Sequence, residues 1–197
     1  MINKNKQLKI PGAGQKFINI SKQSDDIIGK KLSPGYGYVF DSLIGKVGNL
    51  RTAMEYIVTA GYPKRLLNKK RLTRTDILSV ENKRKVELVN YWAIVVYLLA
   101  IRIQSDPDLV TALKATTDDT YLTSFTTFKN KSLGTEAVVN EINVKLSKYV
   151  SAVRLLAGLI QKDNFNDDSI KDLIVNVKAN KELPLFHGVP FNITSEL

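Results

Sequence analysis

The longest apolar run in the sequence, residues 89–101, is the feature that most restricts the possible folds. It is 13 residues long, contains Asn90 and ends against Arg102. A helix that crosses a bilayer needs about 20 apolar residues, so this run is too short to be a membrane span. Apolar residues recur at steps of three and four through residues 82–103, which is the spacing of one helix face. We therefore predict that this stretch is a buried helix at the centre of the core.

Helical spacing elsewhere predicts a mainly α-helical fold in a single compact domain. Gly61 and Pro63 form a stop signal for a helix that starts between Asp41 and Asn49. Asp106 before Pro107 is a strong start signal for the next helix. Further expectations are a helix to about Ala115, helices at residues 117–125, 135–159 and 167–177, a loop at 128–134, and Asp118, Asp119, Asp167 and Asp168 as helix caps.

The two ends of the chain differ in composition from its helical middle. Residues 1–35 carry seven lysines together with Pro11 and Pro34, which predicts a basic, partly flexible arm with at most short strands. Residues 36–197 then form the helical domain, with 181–197 as an extended tail packed on it. The alternating small and aromatic residues 35–40 fit a strand or an aromatic-bearing loop. Minor β content is therefore expected near the N-terminus.

Positive charge is concentrated in one part of the sequence. The 197 residues include 29 Lys and Arg against 19 Asp and Glu, a formal net charge of +10. Residues 63–85, called the basic segment below, hold nine cationic side chains: Lys64, Arg65, Lys69, Lys70, Arg71, Arg74, Lys83, Arg84 and Lys85. Phosphate binding requires clustered cations but no fixed spacing, so these residues predict a nucleic-acid interface. The alternative is a solvated loop that is basic without binding anything.

Two further features of the sequence, the DNA-binding motifs it lacks and the aromatic residues near the cations, suggest which kind of nucleic acid is bound. Neither a helix-turn-helix nor a zinc-finger signature is present, which favours RNA or single strands over sequence-specific reading of duplex DNA. Aromatic residues that could stack on bases precede the basic segment at Tyr36, Tyr38, Phe40, Tyr56 and Tyr62.

Several classes of site are excluded by composition. Cysteine is absent and His187 is the single histidine. The chain therefore offers no thiol catalysis, no Cys-ligated metal and no multi-histidine site, and we expect neither a metal nor a cofactor. No nucleophile elbow accompanies His187, so a structural or surface role is expected for it. No targeting signal or membrane span is visible, which predicts a cytoplasmic location. The Lys, Asn and Ile content suggests an AT-rich genome, such as that of a bacteriophage.

Three segments share their order and spacing with the motifs of a known family. The first is T-A-M-E-Y-I-V-T-A, with Thr52, Glu55 and Tyr56. It is similar to the T-V-E-H-x-Y-Q-A helix of the NADAR superfamily, a group of mostly helical N-glycosidase-type proteins. The others are residues 115–134 and residues 146–154, similar to its L-x-x-T-x-x-x-L-x-E … W-G segment and its L-G-K-x-L-M-x-V-R helix. Order and spacing match across residues 40–156.

The resemblance implies a pocket and one catalytic carboxylate. Glu55 would be that carboxylate, with Tyr56, Tyr62, Trp92, Lys148 and Arg154 as the pocket residues and the last two meeting phosphate. The chain departs from the family because Tyr56 replaces a histidine, Tyr62 replaces a lysine, and residues 125–133 lack its acidic residue and tryptophan. Glycosidic hydrolysis needs carboxylates that position water and stabilise charge on the sugar. These departures favour a catalytically degenerate relative.

Three hypotheses of function follow. The first is a non-enzymatic protein that binds RNA or single-stranded nucleic acid through the basic segment and the arm. The second is an N-glycosidase acting on a nucleotide or ADP-ribosyl substrate, with Glu55 as its key carboxylate. The third is a phage structural or assembly protein whose basic arm binds a partner or packaged nucleic acid. The sequence predicts no oligomeric state.

Overall fold

The structure is a computed structural model that describes residues 17–116, 121–123, 126–130, 135–139, 144–180 and 183. Helices account for most of this part of the chain, which confirms the mainly helical prediction. The α-helices found there are α1 (Ile27–Leu32), α2 (Leu50–Val58), α3 (Arg74–Glu81), α4 (Tyr91–Gln104), α5 (Pro107–Lys114), α6 (Val144–Gln161) and α7 (Asp167–Asn180). A 3-10 turn, Lys64–Leu66, lies between α2 and α3.

Short strands pair two by two in the described residues. β1 (Phe17–Asn19) runs parallel to β4 (Tyr121–Thr123). β2 (Phe40–Ser42) and β3 (Gly45–Val47) form an antiparallel hairpin, with Phe40 opposite Val47. β5 (Thr126–Asn130) and β6 (Thr135–Val139) form a second antiparallel pair. Strands were expected only near the N-terminus, but β4, β5 and β6 lie well beyond that part of the chain.

Helix α4 is the centre of the core, as its apolar spacing predicts. It packs against α2, α5, α6 and α7 and against strand β2. The α4 side chains that are buried are Ala93, Val95, Val96, Leu98, Leu99, Ala100, Arg102 and Ile103. Burial of this many aliphatic side chains is the main stabilising contribution that such a helix makes. None of the described helices has the length and apolarity that a membrane crossing requires.

Two helix boundaries follow the capping signals in the sequence. The side chain of Asp106 accepts a hydrogen bond from the backbone N–H of Leu109, and Pro107 occupies the first turn of α5. Helix α7 begins at Asp167, as predicted, and extends three residues beyond the predicted Val177, to Asn180. The prediction that Asp167 and Asp168 cap this helix was wrong, because the side chain of Asn166 accepts the hydrogen bond from the backbone N–H of Ser169 at 3.0 Å. The two aspartates lie inside the first turn. The side chain of Asn49 caps α2, so that helix begins at the later of the two expected positions.

The start of the helical pattern near Asp41 was wrong, because residues 40–47 form the β2–β3 hairpin. Leu43 and Ile44 have the spacing of an apolar helix face, but they form the turn of the hairpin, where Leu43 is 87% exposed. Gly45 has a φ of 108°, a backbone conformation that a side-chain-bearing residue adopts only with strain. This glycine therefore favours a hairpin over a helix.

The predicted start of the central helix at residue 82 was also wrong. Asn82 ends α3, and residues 84–86 run antiparallel to the end of α2, with a bridge between Thr59 and Lys85. Val86 and Val89 extend the apolar spacing in sequence but are 36% and 74% exposed. The spacing rule therefore included two residues that do not enter the core.

Residues 121–139 differ from their predicted helix, loop and helix start. Strand β4 takes up residues 121–123 of the helix predicted at 117–125, whose other residues lie outside the described part of the chain. Strand β5 covers part of the predicted loop, and β6 lies at the predicted start of the long helix. Thr126 and Thr127 pair with Val139 and Val138, and β-branched residues of this kind favour strands. The long helix, α6, begins at Val144 instead.

The N-terminal arm contains more structure than predicted in its described part. Residues 17–35 include β1 and also helix α1, and Ile18, Ile20 and Leu32 are buried in the core. Residues 1–16, Asp118 and Asp119 lie outside the described residues. So do His187 and all of the predicted tail except Leu183, which is buried.

Candidate functional site

An open cleft of about 500 Å³ lies beside helices α2 and α3, and we call it the basic cleft. Five cationic side chains and two carboxylates line it, which leaves a net charge of +3. Its lining residues are Lys22, Gly35, Asn49, Arg51, Thr52, Glu55, Tyr62, Lys70, Arg71, Leu72, Ile77, Val80, Glu81 and Lys85. The cleft therefore brings together residues that are up to 63 positions apart in the chain.

Asn49 joins helix α2 to the basic segment. Its Oδ1 accepts hydrogen bonds from the backbone N–H of Thr52 at 2.8 Å and from the Thr52 hydroxyl at 3.0 Å. Its Nδ2 donates to the backbone carbonyls of Lys69 at 3.0 Å and Lys70 at 3.2 Å. One buried side chain thus caps the helix and also fixes the backbone that carries Lys70 and Arg71.

The same contact requires a glycine at position 48. The Gly48 N–H donates to the carbonyl of Leu67 at 2.8 Å. A Cβ atom at Gly48 would lie 2.2 Å from the carbonyl carbon of Lys69, far inside van der Waals contact. The backbone of the basic segment can approach α2 this closely only because residue 48 has no side chain.

Lys85 reaches the cleft from the segment that follows α3. The Ala60 N–H donates to the Arg84 carbonyl at 3.0 Å, and the Val86 N–H donates to the Val58 carbonyl at 2.8 Å. This pairing places the Lys85 ammonium 2.6 Å from Glu55 Oε2 and 2.8 Å from the Thr59 hydroxyl. The Glu55 side chain is still 35% exposed, so its carboxylate remains accessible from the cleft.

Two cations of the basic segment have a structural partner in Asp76. Thr73 and Asp76 form a capping box at the start of α3, and Lys69 Nζ lies 2.8 Å from Asp76 Oδ2. Hydrogen bonds from Lys69 and Thr73 lower the pKa of the Asp76 carboxyl to about 2. Arg65 approaches the same carboxylate at 3.9 Å. Lys69 and Arg65 are therefore partly neutralised and are weaker candidates for phosphate contact than the sequence suggests.

Apolar side chains also line the cleft, and we call them the apolar wall: Tyr62, Leu72, Ile77 and Val80. The Tyr62 ring meets the Tyr56 ring edge to face, with the ring centroids 5.7 Å apart. The Tyr62 hydroxyl is buried, and no described residue lies in hydrogen-bonding geometry to it. Burial, and next the charge of Glu55, raise the pKa of Tyr62, and a weaker interaction with Thr52 acts in the opposite direction.

The predicted site residues divide into three groups. Glu55, Tyr62, Lys70, Arg71 and Lys85 line the cleft together. Lys64, Arg74 and Arg84 are exposed on the basic segment outside it, and Lys83 is half-buried there. The predicted pocket residues that do not line the cleft are Tyr56, Trp92, Lys148 and Arg154.

The residues outside the cleft include Arg154, which is only 2% exposed in α6. Its Nε donates to the carbonyl of Leu122 in β4 at 2.8 Å, so it joins a helix to a strand. Trp92 packs edge to face on Tyr91, with the ring centroids 5.0 Å apart. Tyr36 and Tyr38, predicted to stack on bases, lie against the Arg102 guanidinium at 5.9 and 3.8 Å. This cation–π packing engages them within the fold.

Sequence reasoning missed several residues that line the cleft. Lys22 belongs to the arm that was expected to bind nucleic acid, but it was not distinguished there from the other lysines. Arg51 lies outside both the arm and the basic segment, and no local pattern distinguishes it from other exposed cations. Asn49 could have been found from its position before a helical pattern, where a capping side chain is expected. Among the described residues, no group of three or more His, Asp and Glu side chains could hold a metal ion.

Comparisons of the chain with known protein families, with curated proteins and with solved structures gave no match. The resemblance to the NADAR superfamily therefore stays a prediction that rests on the residues quoted for it.

Proposed function

We propose that this protein is a non-enzymatic nucleic-acid-binding protein and that the basic cleft binds the phosphate backbone. The observation that carries the proposal is the convergence of five cationic side chains on one open cleft: Lys22, Arg51, Lys70, Arg71 and Lys85. They come from three separate parts of the chain. A solvated loop that is basic only by composition gives no reason for Lys22 and Arg51 to join the basic segment around one cavity.

Most of these charges are available to a ligand. Lys85 is paired with Glu55, but Lys22, Arg51, Lys70 and Arg71 form no ion pair with any residue the structure describes. Lys70 and Arg71 are also exposed. A nucleic acid carries condensed counterions, and its phosphates release them when they meet cations that have no protein partner. This entropy gain is the main driving force of non-specific binding.

RNA or a single strand is the preferred partner in this proposal. A concave site with an apolar wall suits a base that is free to leave its stack, whereas a duplex presents paired and stacked bases. The test is a titration of the protein with labelled single-stranded RNA, single-stranded DNA and duplex DNA at two salt concentrations. We expect submicromolar binding to a single strand that weakens steeply as salt is raised. Absence of binding to all three at near-physiological salt would refute the proposal.

An N-glycosidase is the second candidate, and one observation favours it. Glu55 lines the cleft together with a second carboxylate, Glu81. A pair of carboxylates could position water and stabilise positive charge on a sugar. In this case the protein should release a base from a nucleotide or an ADP-ribosyl substrate, and Glu55→Gln should abolish turnover. Unchanged turnover in Glu55→Gln would exclude Glu55 as the catalytic group.

A further inference from the structure

The basic cleft is lined by two chemically different kinds of side chain. Lys70 and Arg71 line it as cations, and Leu72 and Ile77 line it as apolar residues. Ile77 is 51% exposed, so its side chain is accessible from the cleft. A phosphate backbone alone has no use for such a wall, because phosphates and sugars gain little from contact with aliphatic carbon. The wall therefore indicates that the ligand has an apolar surface as well as a negative charge.

The size of the cleft is sufficient for one small ring system. A volume of about 500 Å³ falls within the roughly 300–1,000 Å³ range of sites for small molecules. A single nucleotide fits within this range.

We propose that the basic cleft takes up one unpaired nucleotide of a bound strand. Its base packs on the apolar wall, in which Leu72 and Ile77 are the more exposed side chains, and its phosphates meet Lys70 and Arg71. The inference rests on the proposed nucleic-acid binding and adds a requirement for an exposed base. If only phosphates were bound, strands with and without bases would bind with equal affinity. Packing of a base on the cleft raises the affinity only for the strand that carries bases.

Helix α3 offers a matched pair of positions for the test. Ile77 and Leu78 are neighbours in the sequence and are 51% and 55% exposed. Only Ile77 lines the cleft. Because both side chains are exposed, Ile77→Ala and Leu78→Ala should both fold, and circular dichroism and thermal unfolding can verify this.

The experiment compares two ligands of equal charge at one salt concentration. One is a chain of about twelve uridines and the other a chain of the same length whose ribose phosphates lack bases, a length within the usual site size of single-strand binders. We expect the wild-type protein to bind the uridine chain at least about fivefold more tightly, as contact with one base predicts. Ile77→Ala should reduce this ratio by about threefold and Leu78→Ala should leave it unchanged.

The possible outcomes separate this inference from the proposed function. Equal, salt-sensitive binding of the two ligands would overturn the base site and leave phosphate binding intact. Equal reductions of the ratio in Ile77→Ala and Leu78→Ala would also overturn it, because the base would then not depend on the cleft. Absence of binding to either ligand would overturn the inference together with the proposed function.

Discussion

The Lys85 ammonium lies 2.6 Å from the Glu55 carboxylate, and both residues line the basic cleft. The two residues are 30 positions apart, and the pairing of residues 84–86 with the end of α2 brings them together. Their side chains are 49% and 35% exposed, so water screens the pair. Such ion pairs contribute about 0–1 kcal/mol to stability. The larger effect of the pair is on binding, because Glu55 neutralises one of the cations that phosphate would meet.

Glu55→Gln is therefore expected to strengthen binding to single-stranded RNA. Removing the carboxylate frees Lys85 and raises the net charge of the cleft by one unit, while the free energy of unfolding should change by less than about 1 kcal/mol. Binding titration and urea denaturation measure the two effects. Weaker binding by this variant would show that Glu55 contacts the ligand favourably instead of only offsetting Lys85.

Asn49→Ala should destabilise the protein by about 1–3 kcal/mol. The substitution removes the cap of α2 and leaves the carbonyls of Lys69 and Lys70 without the Nδ2 donor. Asn68→Ala is the control, since Asn68 is exposed and its side chain bonds to no described residue. Urea denaturation measures both variants. A loss as small as that of the control would mean that Asn49 does not hold the basic segment in place.

Asp76 predicts a specific loss of stability in acid. Its pKa is lowered to about 2 in the folded protein from an ordinary value of 3.8. A lowered carboxyl pKa stabilises the fold fully above the ordinary value, and this contribution disappears as the pH falls from about 4 to about 2. Asp76→Asn should therefore lose less stability than the wild-type protein over this interval.

The matched control for acid unfolding is Asp168→Asn. The Asp168 side chain is 92% exposed, and its removal should leave the pH profile of the wild-type protein nearly unchanged. Chemical denaturation at several pH values gives the profiles. If Asp76→Asn and the wild-type protein lose stability in parallel between pH 4 and pH 2, then Asp76 does not carry this dependence.

The helical elements could be predicted from the sequence wherever spacing and capping agree. Asp106 with Pro107, and Asp167, mark helix starts that the structure confirms. The strands could not be predicted in the same way. Each covers three to five residues, too few for alternation to show, and their stability comes from partners remote in sequence. Phe17 pairs with Tyr121 across more than 100 positions, for example.

The candidate site could be predicted only in part. A sequence shows which residues are charged, but it does not show which remote residues the fold brings together in one cleft. Lys70, Arg71 and Lys85 were found from their clustering, and Glu55 from a resemblance. Lys69 and Lys70 are indistinguishable in the sequence, since both belong to the basic segment. In the structure, however, Lys69 is bound to Asp76, which lies seven positions away and belongs to the capping box of α3. Arg51 joins the cleft through the fold alone.

The measurement that tests the central claim most directly is the salt dependence of RNA binding in two charge-matched variants. The first is Lys70→Gln with Arg71→Gln, in the cleft, and the second is Lys162→Gln with Lys178→Gln. The second pair lies at exposed positions outside the cleft and forms no ion pair with the described residues. We predict that the cleft variant binds more weakly and that the slope of log K against log salt falls by about one to two units. The control should retain the wild-type slope, and equal effects of the two variants would contradict the assignment of binding to the basic cleft.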